Sequence, residues 1–179
     1  SVLMLAGIKK ILIIVNKGQL SQFRKILPEK NNLGISLEYK EQIRPGGLPE
    51  AFTIGEKFIS TDSVSLILGD NFFYGQSLTK ILKKNINLNS GAKIFIHPVK
   101  NPQLYGVATL NKNNKVSKLM EKPKKTNSNL AVTGLYFFDN KVVELTKKLK
   151  PSKRGELEII DLLNIYKRKN KLKAELIGR

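Results

Sequence analysis

Apolar and polar residues follow two different periods along this chain, which predicts both strands and helices. Short apolar or alternating segments bounded by turn residues are typical of strands. They lie at 11–15, 37–40, 64–68, 93–99, 107–110, 116–120, 130–138 and 172–177. Segments whose apolar residues recur every three or four positions predict helices at 20–27, 48–58, 78–84, 140–149 and 156–166.

The order of these elements predicts the fold class. Strands and helices alternate through most of the chain, which favours an α/β protein whose mainly parallel sheet lies between two layers of helices. The strands 107–110 and 116–120 are joined by the turn 111–114, so we expect an antiparallel hairpin added to that sheet. The length fits one domain, which we assign to residues 1–179.

The charge balance is strongly basic, with 32 Lys and Arg against 14 Asp and Glu and a net charge of +18. Such a balance is also found in proteins that bind nucleic acid. Only five of these cations are arginines, and the lysines are scattered over the polar sides of the predicted elements. We therefore expect solvated surface charge and no nucleic-acid partner, and a basic binding module remains an alternative.

The chain has no cysteine, which excludes disulfides and thiolate metal sites within this sequence. No apolar run reaches the length of a membrane span and no secretory signal opens the sequence, so we expect no membrane partner and a cytoplasmic location. The single histidine, His97, has no second His or Cys to complete a ligand set, and we interpret it as structural.

Three short motifs could carry chemistry. The strand 64–68 is followed by Gly69 and Asp70, and a carboxylate at the carboxyl end of a strand can bind Mg²⁺, although a simple turn explains the motif equally well. The glycines of the loop 45–47 precede a helix, where backbone N–H groups can face an anion or a base, although such a segment is more often a plain loop. The pair Glu121 and Lys122 could serve a sugar hydroxyl and a phosphate, or form only a surface ion pair.

Six segments that include these motifs resemble the glucose-1-phosphate thymidylyltransferase family over nearly all of the chain. They are 42–48, 68–75, 105–107, 121–123, 132–136 and 154–159. Each segment is weak evidence alone, whereas six in the same order and spacing are specific. The resemblance implies a Rossmann-like nucleotidyltransferase fold, a homo-oligomer (usually a tetramer), and Mg²⁺-dependent joining of dTTP and α-D-glucose 1-phosphate to give dTDP-glucose and pyrophosphate. This reaction leads to dTDP-rhamnose and related deoxysugars of surface polysaccharides.

The same resemblance implies the roles of individual residues. Gln42 and Gly47 would hold the thymine, Asn71 would line the nucleotide site, and Asp70 would bind Mg²⁺. The implied sugar-phosphate site consists of Tyr105, Gly106, Glu121, Lys122, Val132, Tyr136 and Arg154. Asp70, Lys122 and Arg154 are the implied catalytic residues, because they would offset charge on the reacting phosphates.

Several positions depart from the family pattern. Gly46 stands where an acidic residue is common, and Pro49 and Glu50 stand where Ala and Gln are common, so transfer to another base or sugar remains an alternative. The family's glycine-rich Gly-x-Gly-Thr-Arg loop and its second metal-binding Asp would lie outside residues 1–179. We therefore expect an incomplete nucleotidyltransferase domain that is inactive alone. The aromatic cluster 72–74 is expected to be core and site wall.

Overall fold

The computed structural model describes residues 2–75, 78–86 and 88–178. The strands are β1 (Lys10–Asn16), β2 (Ser36–Gln42), β3 (Val64–Ile67), β4 (Ala92–Pro98), β5 (Gly106–Leu110), β6 (Val116–Glu121), β7 (Leu130–Phe138) and β8 (Leu172–Leu176). The helices are α1 (Val2–Leu5), α2 (Leu20–Ile26), α3 (Glu50–Ile54), α4 (Glu56–Ile59), α5 (Leu78–Asn85), α6 (Val142–Lys147) and α7 (Ile159–Arg168). The predicted strands and helices are therefore present, while Ser1 and Arg179 lie outside the described residues.

Two predicted helices differ from their expected bounds. The helix expected at 48–58 is divided into α3 and α4 at Gly55, whose backbone N–H bonds to the Ala51 carbonyl. The helix expected at 156–166 begins only at Ile159, because Glu158 has an extended backbone. Preceding it, residues 152–156 form a turn in which the Ser152 N–H donates to the Glu156 carbonyl.

The expectation of a mainly parallel sheet is wrong, because the observed sheet is mixed. Among the described residues, β7 pairs antiparallel with β3, β4 and β5, and β5 pairs antiparallel with β6. Of the strand pairs in the described residues, only β1 with β2 and β4 with β8 are parallel. The reason is that the described chain between β4 and β7 forms a hairpin without a crossover α-helix, so β7 enters the sheet in the opposite direction.

The expected three-layer arrangement is present, because successive residues of the central strands pack against opposite layers. Tyr136 and Phe138 of β7 point into a core formed with helices α3, α4, α6 and α7. Leu135 and Phe137 point into a second core with α1 and α5 on the other face. No described helix combines the length and apolar character needed to cross a membrane.

The strands β1 and β2 form a separate two-stranded sheet. The Lys40 side chain at the end of β2 donates to the Ile54 carbonyl of α3 at 2.6 Å. A cavity of about 230 Å³ lies between this sheet and the large one, and its lining includes Leu12 of β1 and Ser65 of β3. The two sheets thus meet through side chains and connecting loops, with α3 packed beside both.

Candidate active site

A cavity of about 970 Å³ lies at the edge of the large sheet where β3, β4 and β6 end. Most of the residues that the sequence predicts for nucleotide and sugar binding line this cavity. They are Asp70, Asn71, Tyr105, Gly106, Glu121, Lys122, Val132 and Tyr136. The volume suits a ligand larger than a single sugar, because pockets for drug-sized ligands span about 300–1,000 Å³.

Asp70 lies just beyond β3 with an exposed side chain, and Asn71 holds it in place. The Asn71 Nδ2 atom donates to the Asp70 carboxylate at 2.8 Å, while its Oδ1 accepts the Gly134 N–H at 3.0 Å. A Cβ atom at Gly134 would lie only 2.7 Å from that Oδ1, so the contact requires glycine. Asn71 therefore positions Asp70 against β7, a role that the resemblance had not implied.

Glu121 and Lys122 lie side by side at the end of β6. Glu121 is half-buried opposite Gly106 of β5. Burial raises the pKa of the Glu121 carboxyl, the Glu158 carboxylate raises it further, and the cations Lys122 and Arg154 act in the opposite direction. This carboxyl can accept hydrogen bonds from a sugar when it is ionised.

Lys122 has an exposed side chain on an unusual backbone. Its φ angle of 39° lies in the left-handed region, and its N–H donates to the Tyr105 carbonyl at 3.0 Å. A non-glycine residue held in this region costs about 1–3 kcal/mol, and such strain clusters at functional sites.

The neighbouring Tyr136 is buried, and burial together with the nearby Glu121 carboxylate raises the pKa of its hydroxyl.

Arg154 does not line the cavity itself but is hydrogen-bonded to Glu158, which does. Its guanidinium donates to both Glu158 carboxylate oxygens at 2.8 Å and lies 3.6 Å from the Glu121 carboxylate. Burial raises the pKa of the Glu158 carboxyl, but the hydrogen bonds from Arg154 and Ser152 outweigh burial and hold this pKa below its ordinary value. Sequence reasoning missed Glu158 as a partner, although the four-residue spacing from Arg154 was a usable signal.

The loop predicted to hold the base lies next to the cavity. Gly46 accepts the Leu157 N–H at 2.9 Å, and Gly47 has a φ of 94° with its Cα packed directly against the Leu157 backbone. Leu48 lines the cavity, whereas Gln42 and Gly47 do not. The Gln42 side chain instead donates to the Glu50 carboxylate at 2.6 Å.

The donor set is compatible with Mg²⁺ held largely by substrate phosphates. In the described part of the chain, no three His, Cys, Asp or Glu side chains form a cluster that could hold a metal ion. Asp70 offers one exposed carboxylate, and Mg²⁺ is typically bound by one or two carboxylates together with substrate phosphates. His97 also borders the cavity, and its Nδ1 lies 2.8 Å from the Ile177 carbonyl, in line with a structural role.

The aromatic cluster 72–74 lines the cavity, as expected of a site wall, but most of it lies outside the core, contrary to expectation. Phe72 and Tyr74 are 86% and 85% exposed and pack on each other with ring centroids 5.9 Å apart. Only Phe73 packs against the core formed with α1 and α5. Phe72 and Tyr74 thus contact each other in solvent, whereas Phe73 between them faces the core.

Relatives of this chain support an enzymatic site. The chain is 48% identical over 179 residues to the glucose-1-phosphate thymidylyltransferase of Neisseria meningitidis serogroup A. It is 41% identical to that of Mycolicibacterium smegmatis. Both alignments cover 100% of this chain and 62% of the relative, so the chain spans about three fifths of the length of these curated relatives.

Solved structures agree with the observed fold. A Bacillus anthracis protein assigned as a glucose-1-phosphate thymidylyltransferase and crystallised with sucrose superposes with a TM-score of 0.89 at 34% identity, covering 99% of this chain and 71% of that one. A UDP-glucose pyrophosphorylase bound to UDP-glucose shares the fold with a TM-score of 0.78 at 21% identity, covering 98% and 75%. The family described as nucleotidyl transferase matches residues 1–179 in full, and the chain belongs to this family.

Proposed function

We propose that this chain forms the substrate-binding part of an enzyme that joins dTTP and α-D-glucose 1-phosphate to give dTDP-glucose and pyrophosphate. The main support is that Asp70, Glu121 and Lys122 line one cavity, since the reaction needs a hard oxygen ligand, a sugar acceptor and a phosphate cation there. The two relatives at 48% and 41% identity carry the name of this activity.

Binding of the sugar phosphate is assigned to the end of β6 and the segment before α7. The ionised Glu121 accepts hydrogen bonds from glucose hydroxyls, while the Lys122 ammonium binds the phosphate. Arg154 also faces this end of the cavity, because its guanidinium lies 3.6 Å from the Glu121 carboxylate. These groups orient the sugar phosphate for attack on the α-phosphorus of the nucleotide and offset its charge.

Binding of the nucleotide is assigned to the base loop and the end of β3. Gln42 and the backbone around Gly47 recognise the base, and Asp70 together with phosphate oxygens holds Mg²⁺. When bound, Mg²⁺ neutralises charge on the phosphates. Asn71 keeps the Asp70 carboxylate in one orientation through the 2.8 Å hydrogen bond between them.

Nucleotide selectivity provides the test of this proposal. The purified full-length protein is assayed for pyrophosphate release from dTTP, UTP, CTP and ATP with glucose 1-phosphate and Mg²⁺. We expect dTTP to give the highest kcat/KM. A higher kcat/KM with UTP, CTP or ATP than with dTTP, or no turnover with any of the four nucleotides, overturns the proposal.

Several expectations from the sequence stay predictions. They concern assembly into a homo-oligomer, location in the cytoplasm, supply of dTDP-rhamnose and surface polysaccharide, inactivity of residues 1–179 alone, and the absence of a nucleic-acid partner. The last of these separates the enzyme from a basic binding module, because affinity for a polynucleotide falls steeply as salt rises. A fluorescence titration with DNA and RNA at physiological salt is expected to show no tight, saturable binding.

A further inference from the structure

Gln42 and Glu50 form a side-chain pair at the entrance to the base loop. Gln42 is the last residue of β2 and Glu50 is the first residue of α3, and both are partly buried. The Gln42 Nε2 atom lies 2.6 Å from Glu50 Oε2. The loop makes room for this carboxylate, because a Cβ atom at Gly46 would lie only 2.3 Å from it.

The chemistry of the pair decides which way the Gln42 amide faces. An ionised carboxylate only accepts hydrogen bonds, so the NH₂ end of the amide must face Glu50. Among the described residues, no side chain donates to the side-chain carbonyl oxygen of Gln42, Oε1. Rotating the amide by 180° would bring this oxygen against the carboxylate and is therefore disfavoured by repulsion.

An amide held in one orientation discriminates between pyrimidines. Thymine and uracil present an N3–H donor beside carbonyl acceptors, whereas cytosine presents an N3 acceptor beside an amino donor. A freely rotating glutamine can match either edge by exchanging its oxygen and nitrogen. A glutamine whose NH₂ is held elsewhere keeps its carbonyl oxygen for an N3–H donor.

We propose that Glu50 is a positioning residue that makes the site selective for imide bases (thymine and uracil) by fixing the amide of Gln42. This inference rests on the proposed function, in which Gln42 contacts the base. Glu50 additionally lies in the first turn of α3, where a carboxylate stabilises a helix, so stability alone cannot test its role.

The test compares base preference in matched variants of the full-length protein. Glu50→Ala removes the carboxylate that accepts from Gln42, so the Gln42 amide can rotate. We expect the ratio of kcat/KM for dTTP over dCTP to fall at least roughly fivefold, the lower limit for one well-placed base contact. Glu56→Ala removes an exposed carboxylate on α4 and is expected to leave the ratio unchanged.

A double-mutant cycle separates positioning from stability. If Glu50 acts through Gln42, then Glu50→Ala has no further effect on the ratio when it is added to Gln42→Ala. An unchanged ratio in Glu50→Ala, with dTTP turnover intact in the parent protein, overturns the inference alone. Equal effects in both backgrounds also overturn it, and failure of the parent protein to use dTTP overturns the proposed function and the inference together.

Discussion

At the scale of single residues, the site depends on side chains that bind one another before any substrate is present. Asn71 connects the Asp70 carboxylate to the Gly134 N–H of β7 through two hydrogen bonds. Arg154 is oriented by Glu158 in the same way. Such preformed contacts reduce the entropy that must be lost when substrates bind.

Removing the Asn71 side chain is expected to uncouple Asp70 from the sheet. Asn71→Ala leaves the Gly134 N–H without its acceptor and frees the Asp70 carboxylate. Because a hydrogen bond to a charged group contributes about 1.5–3 kcal/mol, we expect kcat to fall roughly tenfold or more. Steady-state kinetics measure the loss, and Asn113→Ala in the exposed β5–β6 turn is the control. An unchanged kcat in Asn71→Ala would contradict the positioning role.

Glu121 is expected to make glucose 1-phosphate binding sensitive to pH. Since burial raises its pKa in the folded protein, Glu121 becomes protonated at a higher pH than an ordinary glutamate and then loses acceptor capacity. Affinity for glucose 1-phosphate should therefore fall as the pH drops through this raised pKa, as calorimetry at a series of pH values can measure. In Glu121→Gln only the titration of the ligand phosphate should remain, and an identical pH profile in both proteins would exclude this role.

The same raised pKa has a consequence for folding. A carboxyl whose pKa is higher in the folded than in the unfolded protein stabilises the fold at low pH, and this contribution is lost as the pH rises through the folded value. Glu121→Gln should accordingly unfold at a higher temperature than the parent protein near neutral pH. The advantage should shrink on acidification toward the ordinary glutamate range, a trend that thermal melts at several pH values can follow.

At the scale of elements, the loop 45–47 contacts the segment 152–158, which contains the turn 152–156 and ends where α7 begins. Gly46 accepts the Leu157 N–H at 2.9 Å, and Leu48 and Leu157 both line the cavity. The base loop follows β2 of the small sheet, whereas the turn precedes α7 on the large sheet. This contact therefore sets the distance between the proposed base site and the proposed sugar-phosphate site.

Gly47 is the position at which this contact tolerates no side chain. A Cβ atom there would lie 2.1 Å from the Leu157 carbonyl oxygen, and the φ of 94° is itself unfavourable for alanine. Gly34 is a matched control, since its φ of 70° is also positive but a Cβ atom would meet no atom within 4 Å. We expect Gly34→Ala to cost about 1–2 kcal/mol of folding free energy, and Gly47→Ala to cost more and to weaken dTTP binding. Urea unfolding and calorimetry measure both effects, and equal losses in the two variants would refute the packing role.

At the scale of the whole molecule, the two sheets differ in how many neighbours support their strands. β7 lies inside the six-stranded sheet between two helical layers, whereas β1 and β2 pair only with each other among the described strands. Two-stranded sheets are marginally stable without further packing. The half of the site to which base binding is assigned in the proposal is thus built on the less supported part of the molecule.

Hydrogen exchange is expected to reveal this difference. Backbone amides of β1 and β2 should exchange at least roughly tenfold faster than those of β4 and β7, because local opening requires less buried surface to be exposed. Mass spectrometry of peptic peptides compares both regions in one sample, which provides an internal control. Equal protection of the two sheets would show that they open as one cooperative unit.

What the sequence determined by itself is the nature and order of the elements, and it placed candidate ligand groups at the ends of strands. Hydrophobic periodicity is a local property, so the strands 64–68 and 130–138 could be recognised without knowing their neighbours. The position of Asp70 after a buried strand likewise predicted a ligand group at the edge of the sheet. The alternation of strands and helices along the chain predicted the three layers, because the order of elements is also visible in the sequence alone.

Only the tertiary structure decided how these elements face one another. The direction of β7, the contact of Asn71 with Gly134 and the hydrogen bond from Gln42 to Glu50 were absent from the sequence prediction. Each depends on backbone that is brought together by folding, across as many as 63 residues for Asn71 and Gly134. Residue patterns record which side of an element is buried, whereas strand direction and hydrogen-bond partners follow from the packing of the whole chain.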